Sequence, residues 1–369
     1  MSIPLFVFMG VMLEKSRLAD DLLDVMGHLA GGLRRHQFHK ALGRLGAGLR
    51  PLTVQPIQTG TRMGIHRRQR DGFVDQVAQH GHQHQMFEHV GVVAGIDLRQ
   101  PVSAADAAAI DAGMDHYGVL VFHGQDINDE QQLAFSRNFG PLETATGDIA
   151  KVADRRLAME VNDISNLDKN SNVLARDDRR RLFSLGNMLW HSDSSFKATP
   201  AKYSLLSARV IPGEGGNTEF ADMRAAWDAL DPTLKTEIRD LITDHSQIFS
   251  RGTLGFTDFT EEERQRWAPV PQRLVRRHPK TGRLSLFLSA HAGQIHGWPV
   301  PEARAMLRDL TEHATQREFV HAHVWRTHDL VMWDNRVTMH RARRYPADKP
   351  RDLHRTTVAD YAPTLAQAA

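Results

Sequence analysis

Short apolar segments closed off by turn residues recur through the C-terminal half of the sequence: Tyr203 to Val210, Leu284 to Leu288, Arg317 to Trp325, Asp329 to Trp333 and His354 to Asp360. Segments of this length and composition read as strands. Two longer helical patterns interrupt them, Met223 to Leu241 and Pro301 to Ala314. Upstream, Ala104 to His116 reads as a helix, Gly118 to Phe122 as a buried strand, and Asn128 to Phe139 as a helix with Asn128 as N-cap and Glu130 in its first turn. Strand and helix do not alternate regularly, which argues against a doubly wound parallel sheet. The pattern predicts a mainly β fold with flanking helices, built on an antiparallel jelly roll.

That texture begins at Phe87. Residues 87–369 are expected to form one domain and residues 1–86 a basic N-terminal extension with little order. In the extension, residues 12–30 carry an amphipathic helical pattern stopped by Gly31 and Gly32. Beyond it no period of 2 or 3.6 is sustained. The extension holds 11 Lys and Arg against 6 Asp and Glu, and Arg34 to Arg70 contains nine basic residues and no acidic one. A run of this kind with few aromatics reads as a solvated arm rather than a nucleic-acid-binding one. The alternating His80, His82 and His84 read as part of a hydrophilic loop. The longest apolar run, Ile3 to Leu13, is too short to span a bilayer and lacks the flanks of a secretory signal, so a cytoplasmic protein is expected.

The sequence has no cysteine, which excludes disulfides, thiol nucleophiles and thiolate metal sites. Any metal must sit on His, Asp or Glu. Among 21 histidines, His191-Ser192-Asp193 is the single His-x-Asp triplet. On extended backbone, residues i and i+2 share a face, so an imidazole and a carboxylate can hold one ion together. His340, after the Leu330 to Trp333 strand and a turn, is the best third ligand. Two histidines and one carboxylate on one face of an octahedral metal leave three positions open, as in non-haem iron(II) oxygenases. His321 and His323 also alternate on a strand, but no carboxylate stands at short spacing beside them. His245, His278, His291, His296 and His328 lack ligand-like spacing and read as structural or surface histidines.

Arg351 and Arg355 lie four apart on the last strand, so both guanidinium groups project to one face with alpha carbons ~13 Å apart; the intervening His354 should face away. Arginine binds a carboxylate through two charge-assisted hydrogen bonds, so this face offers two carboxylate anchors.

Leu189-Trp-His-Ser-Asp-Ser-Ser-Phe-Lys197, Gly215-Gly-Asn-Thr-Glu-Phe220 and Trp333-Asp-Asn-Arg336 ahead of His340 resemble the taurine/2,4-dichlorophenoxyacetate dioxygenase family, and within it the 2,4-dichlorophenoxyacetate branch. The likeness runs from about Phe87 to Pro363, through Val119-Leu-Val-Phe-His-Gly124, Asn138-Phe-Gly-Pro-Leu-Glu143, Ala225-Ala-Trp-Asp-Ala-Leu230 and His313-Ala-Thr-Gln-Arg-Glu-Phe319. It implies a double-stranded β-helix with iron(II) as cofactor and 2-oxoglutarate and O2 as co-substrates. By motif position it makes His191, Asp193 and His340 the iron ligands, Thr218 and Arg351 the holders of the distal 2-oxoglutarate carboxylate, Arg355 the partner of the substrate's acidic group, and Asn187 a pocket-lining amide. Trp190 and Trp333 are expected to pack the barrel. Residues 1–86 match nothing in the family.

The implied reaction hydroxylates an aryloxyalkanoate beside its ether oxygen and releases a phenol and glyoxylate, with succinate and CO2 as co-products. The implied partner is a small carboxylic acid; a homo-oligomer is compatible with the sequence. Two other readings stand beside this one: a sulfonate dioxygenase releasing sulfite, and a non-catalytic metal-binding jelly-roll sensor.

Overall fold

A computed structural model describes residues 90–145, 149 and 155–367. The expected helix at 12–30, the basic run, the His80, His82 and His84 trio and the boundary at residues 86 and 87 lie outside the described residues. Fourteen strands are present among the described residues: β1 (Val90–Val93), β2 (Val119–Phe122), β3 (Asn162–Ser165), β4 (Ala201–Val210), β5 (Thr218–Asp222), β6 (Ile242–His245), β7 (Val270–Arg273), β8 (Val275–Arg277), β9 (Leu284–Leu286), β10 (Ala292–Ile295), β11 (Val320–His323), β12 (Leu330–Asp334), β13 (Thr338–Ala342) and β14 (Asp352–Ala359). Six of them form a sheet in the order β1-β2-β12-β4-β14-β3, and β11-β5-β13 form a second, three-stranded sheet. Apart from the parallel β1–β2 pair, every pairing in these two sheets is antiparallel.

The apolar strands of the large sheet are apolar on both faces, and the packing shows why. On β2, β4 and β12 one set of alternate residues (Leu120, Phe122, Tyr203, Leu205, Leu330, Met332) packs against Ile110, Met114, Phe135 and Phe139 of the flanking helical segments. The other set (Val119, Val121, Leu206, Ala208, Val331, Trp333) packs with Phe220 of the second sheet and with Trp325. Burying a side chain of this size is worth about 1.5–3 kcal/mol. A one-residue slip would exchange the two sets, so two unlike apolar layers fix the register. The expected helices flank the outer face: Ala104–Tyr117, capped by Ser103, and Asp129–Arg137, whose Asn128 and Gln131 form a reciprocal capping box.

Two expectations need correction. Met223 to Leu241 is not one helix but two, Met223–Asp228 and Pro232–Ile238. Pro232 lacks an N–H and disfavours helical backbone in the residue before it, so Asp231 leaves the helix and caps the next one through Thr233 N. Arg317 to Trp325 is a strand only at Val320–His323; Arg317–Phe319 is a 3-10 turn and Trp325 lies in the connection to β12. Among the described residues no helix is long and apolar enough to cross a membrane.

Candidate metal centre and anion pocket

His191 and His340 face each other across an isolated antiparallel bridge. His191 N donates to His340 O at 3.0 Å and His340 N returns the bond at 2.8 Å, so both side chains leave on one face with ring centroids 4.2 Å apart. Asp193 follows two residues on, at the head of a turn. Ser194 carries left-handed backbone there (φ 54°), and its hydroxyl donates to Glu143 at 2.7 Å. One ligand atom from each of His191, Asp193 and His340 lies within 4.8 Å of the others, and all three residues are buried; no other such group occurs among the described residues.

Each donor is in the state a metal requires. The His191 Nδ1–H donates to Leu189 O at 2.7 Å, which leaves the Nε2 lone pair pointing into the cluster. Burial lowers the His191 and His340 pKa values, so both rings are neutral. Burial opposes charge on Asp193 too, but the Arg355 guanidinium leads the opposing effects and its pKa comes down to about 2. Two neutral imidazoles and an ionised carboxylate converging on one point fit a borderline divalent transition-metal ion of the iron(II) kind.

Asp193 is held by residues that sequence reasoning missed. Its N–H donates to Asn335 Oδ1 (3.0 Å), Ser204 Oγ donates to its Oδ2 (2.7 Å), and Asn335 Nδ2 donates to Ser204 (2.9 Å). Trp333 Nε1 closes the set on Asn335 Oδ1 at 3.1 Å. The Trp333-Asp-Asn-Arg336 motif held the signal for Asn335; Ser204 gave none. Trp333 does pack in the core, yet its ring also stands 4.6 Å from that of His340.

Arg355, on β14, forms an ion pair through Nη1 with Asp193 Oδ1, while its buried Nε has no hydrogen-bond partner among the described residues. Arg351, just ahead of β14, is 4% exposed and meets only backbone carbonyls, Ile164 O at 3.4 Å and Gly216 O at 3.5 Å, beside the Tyr345 ring. No carboxylate partners it among the described residues, and burial lowers its pKa. A buried guanidinium without a counter-ion is costly, so the position calls for an anion. Gly215 and Gly216 allow the close approach: both have positive φ, and a Cβ on Gly215 would stand 2.5 Å from Arg344 O. Thr218 opens β5 two residues later and is buried.

Arg351 and Asn187 line a cavity of about 680 Å³ together with Asn166, Arg181, Ala342 and Tyr345. Arg355 and the three metal-ligand candidates do not line it, whereas Ala342, two residues beyond His340 on β13, does. His354 does face away from the arginines, toward Asp129 and Asp352. His323 does have a carboxylate beside it: Asp329 Oδ2 lies 3.2 Å from its Nε2. Asp329 also bonds His123 Nδ1 at 2.7 Å. The fold brings it there from six residues along the chain, across the loop after β11. His291 sits behind His191, ring centroids 6.0 Å apart, with Nδ1 on Ser250 Oγ at 2.9 Å.

Residues 79–357 match the family described as taurine catabolism dioxygenase TauD, TfdA family. The chain is 47% identical over 268 residues, 73% of its length and 93% of the relative's, to the alpha-ketoglutarate-dependent 2,4-dichlorophenoxyacetate dioxygenase of Cupriavidus pinatubonensis (strain JMP 134 / LMG 1197). It is 36% identical to the (S)-phenoxypropionate/alpha-ketoglutarate-dioxygenase of Sphingobium herbicidovorans, covering 73% of this chain and 91% of that one. The crystal structure of AAD-2 in complex with Mn(II) and N-oxalylglycine is similar to it with a TM-score of 0.74 and 59% identity, over 76% of this chain and 98% of that one.

Proposed function

The chain belongs to the taurine catabolism dioxygenase TauD, TfdA family, and from that membership we propose that it hydroxylates an aryloxyalkanoate such as 2,4-dichlorophenoxyacetate with iron(II), 2-oxoglutarate and O2. The observation that carries this reading is a buried two-histidine, one-carboxylate cluster together with two arginines of different circumstance. One of them, Arg355, reaches the cluster itself; the other, Arg351, is a buried cation without a carboxylate partner among the described residues.

In this reading His191, Asp193 and His340 hold the iron, and the two facing sheets form the jelly-roll core around it. With 2-oxoglutarate and O2 bound, the iron supplies the oxidising power that turns a C–H into a C–OH and 2-oxoglutarate into succinate and CO2. Arg351 and Thr218 hold the distal carboxylate of 2-oxoglutarate, and Arg355 holds the carboxylate of the substrate. Asn187 lines the cavity through which substrate enters. Pinning both carboxylates fixes which carbon lies over the metal, the positioning part of catalysis. Hydroxylation of the carbon between the ether oxygen and the carboxylate gives a hemiacetal. Its O–H proton passes to the departing phenoxide as the C–O bond breaks, leaving a phenol and glyoxylate. In this reading the domain that does this is residues 87–369, although the family match itself begins eight residues earlier, at residue 79.

The test is a substrate panel in the presence of iron(II), 2-oxoglutarate and O2. Phenol release from 2,4-dichlorophenoxyacetate, matched mole for mole by succinate, is expected. Sulfite from taurine with no phenol from any aryloxy acid would overturn the substrate while leaving the oxygenase chemistry. No succinate with any substrate would overturn the enzyme.

A further inference from the structure

Trp325, in the connection between β11 and β12, carries a hydrogen bond that the packing of the core does not require. Its Nε1–H donates to Thr218 Oγ1 at 3.0 Å, with the two residues 7% and 3% exposed. An indole nitrogen can only donate, whereas a threonine hydroxyl has one proton and two lone pairs. Once the hydroxyl oxygen accepts from Trp325, its own proton must go elsewhere. No acceptor takes it among the described residues. Thr218 follows by two residues the Gly216 whose carbonyl receives Arg351, so the unclaimed proton belongs to the segment that approaches this guanidinium.

We infer that Trp325 is a positioning residue: its N–H sets the rotor of the Thr218 hydroxyl so that the proton is presented to the carboxylate held by Arg351. The inference rests on the proposed placement of the distal 2-oxoglutarate carboxylate and extends it to a residue that does not touch the ligand. Trp325 is itself held from the far side. The His323 ring stands edge-on to it, centroids 4.6 Å apart at 88°. His323 Nε2 lies 3.2 Å from Asp329 Oδ2, and that oxygen accepts a hydrogen bond from Arg326 N at 3.0 Å. Asp329, 0% exposed, thus ties the two ends of the loop that carries the indole. A hydroxyl whose proton is already aimed loses no rotor freedom on binding, and its hydrogen bond to a carboxylate is charge-assisted.

The test uses the full chain loaded with Mn(II) and measures the dissociation constant of N-oxalylglycine by calorimetry, alongside the KM for 2-oxoglutarate in the iron enzyme. Trp325→Phe keeps an aromatic ring and deletes the N–H. It should weaken N-oxalylglycine binding and raise the KM for 2-oxoglutarate by about three- to tenfold, the effect of one hydrogen bond. The kcat at saturating 2-oxoglutarate and the KM for the aryloxy acid should stay within about twofold. Thr218→Val should have a similar effect, and the double variant should be no worse than Thr218→Val alone, because no hydroxyl remains to be aimed. Additive effects, or an effect of Thr218→Val with none of Trp325→Phe, would make Trp325 a packing residue and overturn the inference. If Thr218→Val itself leaves the constant unchanged, the proposed carboxylate placement fails and the inference falls with it. Should Trp325→Phe fold poorly, a benzothienyl analogue of tryptophan at position 325, which keeps the bicyclic shape without the N–H, takes its place.

Discussion

Ser204 Oγ donates a 2.7 Å hydrogen bond to Oδ2 of Asp193, and both residues are buried. With Asn335 on the Asp193 N–H, this bond fixes the carboxylate before any ion arrives. Ser204→Ala and Asn335→Ala should therefore each weaken metal affinity by about 10–100-fold. Titration of the apoprotein with iron(II) or Mn(II) measures this. Wild-type affinity in both variants would assign the network to folding alone.

His340→Ala should abolish succinate formation and lower bound iron to background, with the circular dichroism spectrum retained. His321→Ala should leave iron content unchanged, since its ring lies outside the donor cluster. Metal analysis of the purified variants reads both outcomes.

Arg355→Gln and Arg351→Gln should fail differently. Each deletes a charge-assisted partner worth about 1.5–3 kcal/mol, roughly ten- to hundredfold in binding. The first should raise the KM for the aryloxy acid more than that for 2-oxoglutarate, and the second the reverse. Identical effects on both ligands would mean that one anion uses both arginines.

On the outer face His354 stands between Asp129 and Asp352. Burial opposes its charge, but its hydrogen bond to Asp129 and the Asp352 carboxylate beside its Nε2 prevail and raise its pKa above the ordinary 6.5. Burial likewise opposes charge on Asp129 and Asp352, and their hydrogen bonds to His354 lead the opposing effects that lower both pKa values from 3.8. The histidine's contribution to stability is complete below its unfolded pKa and is lost as pH rises through the folded one. That of the carboxylates is complete above 3.8 and is lost as pH falls. The Tm advantage of wild type over His354→Asn should be greatest near about pH 5 and fade by about pH 9. An advantage constant across that range would show that folding leaves the histidine's pKa unshifted.

A chain beginning at Met86 should stay soluble and keep its turnover with 2-oxoglutarate, because the preceding segment carries its own charge balance and, beyond the helical pattern at residues 12–30, no sustained period. Aggregation or loss of iron would mean that the segment packs on the oxygenase domain.

What could be read from the sequence was whatever depends on neighbours along the chain. His191 and Asp193 share a face because they lie two apart, and His354 opposes Arg355 because they lie one apart. Asn128 announces its helix because its capping partner is Gln131. Pro232 also announced a break, but the apolar repeat across it suggested one continuous helix. Ser204, Trp325 and Asp329 escaped for a different reason. Their partners Asp193, Thr218 and His123 are brought to them by sheet packing, and a serine on a strand or a tryptophan in a loop carries no local mark of that. His323 shows the same limit, since its carboxylate is a neighbour only once the loop after β11 has closed.

The bridge between His191 and His340 also sets a clock on maturation. The ribosome makes His191 long before His340, and at about 5–20 residues per second the interval is roughly 7–30 s. Throughout that time the nascent chain displays two of the three donors. Which ion the protein carries is therefore decided after synthesis, when strand β13 closes beside His191 and the metals then available compete for the finished site. Cells grown in excess zinc or manganese should yield protein loaded with those ions, inactive until it is stripped and given iron(II).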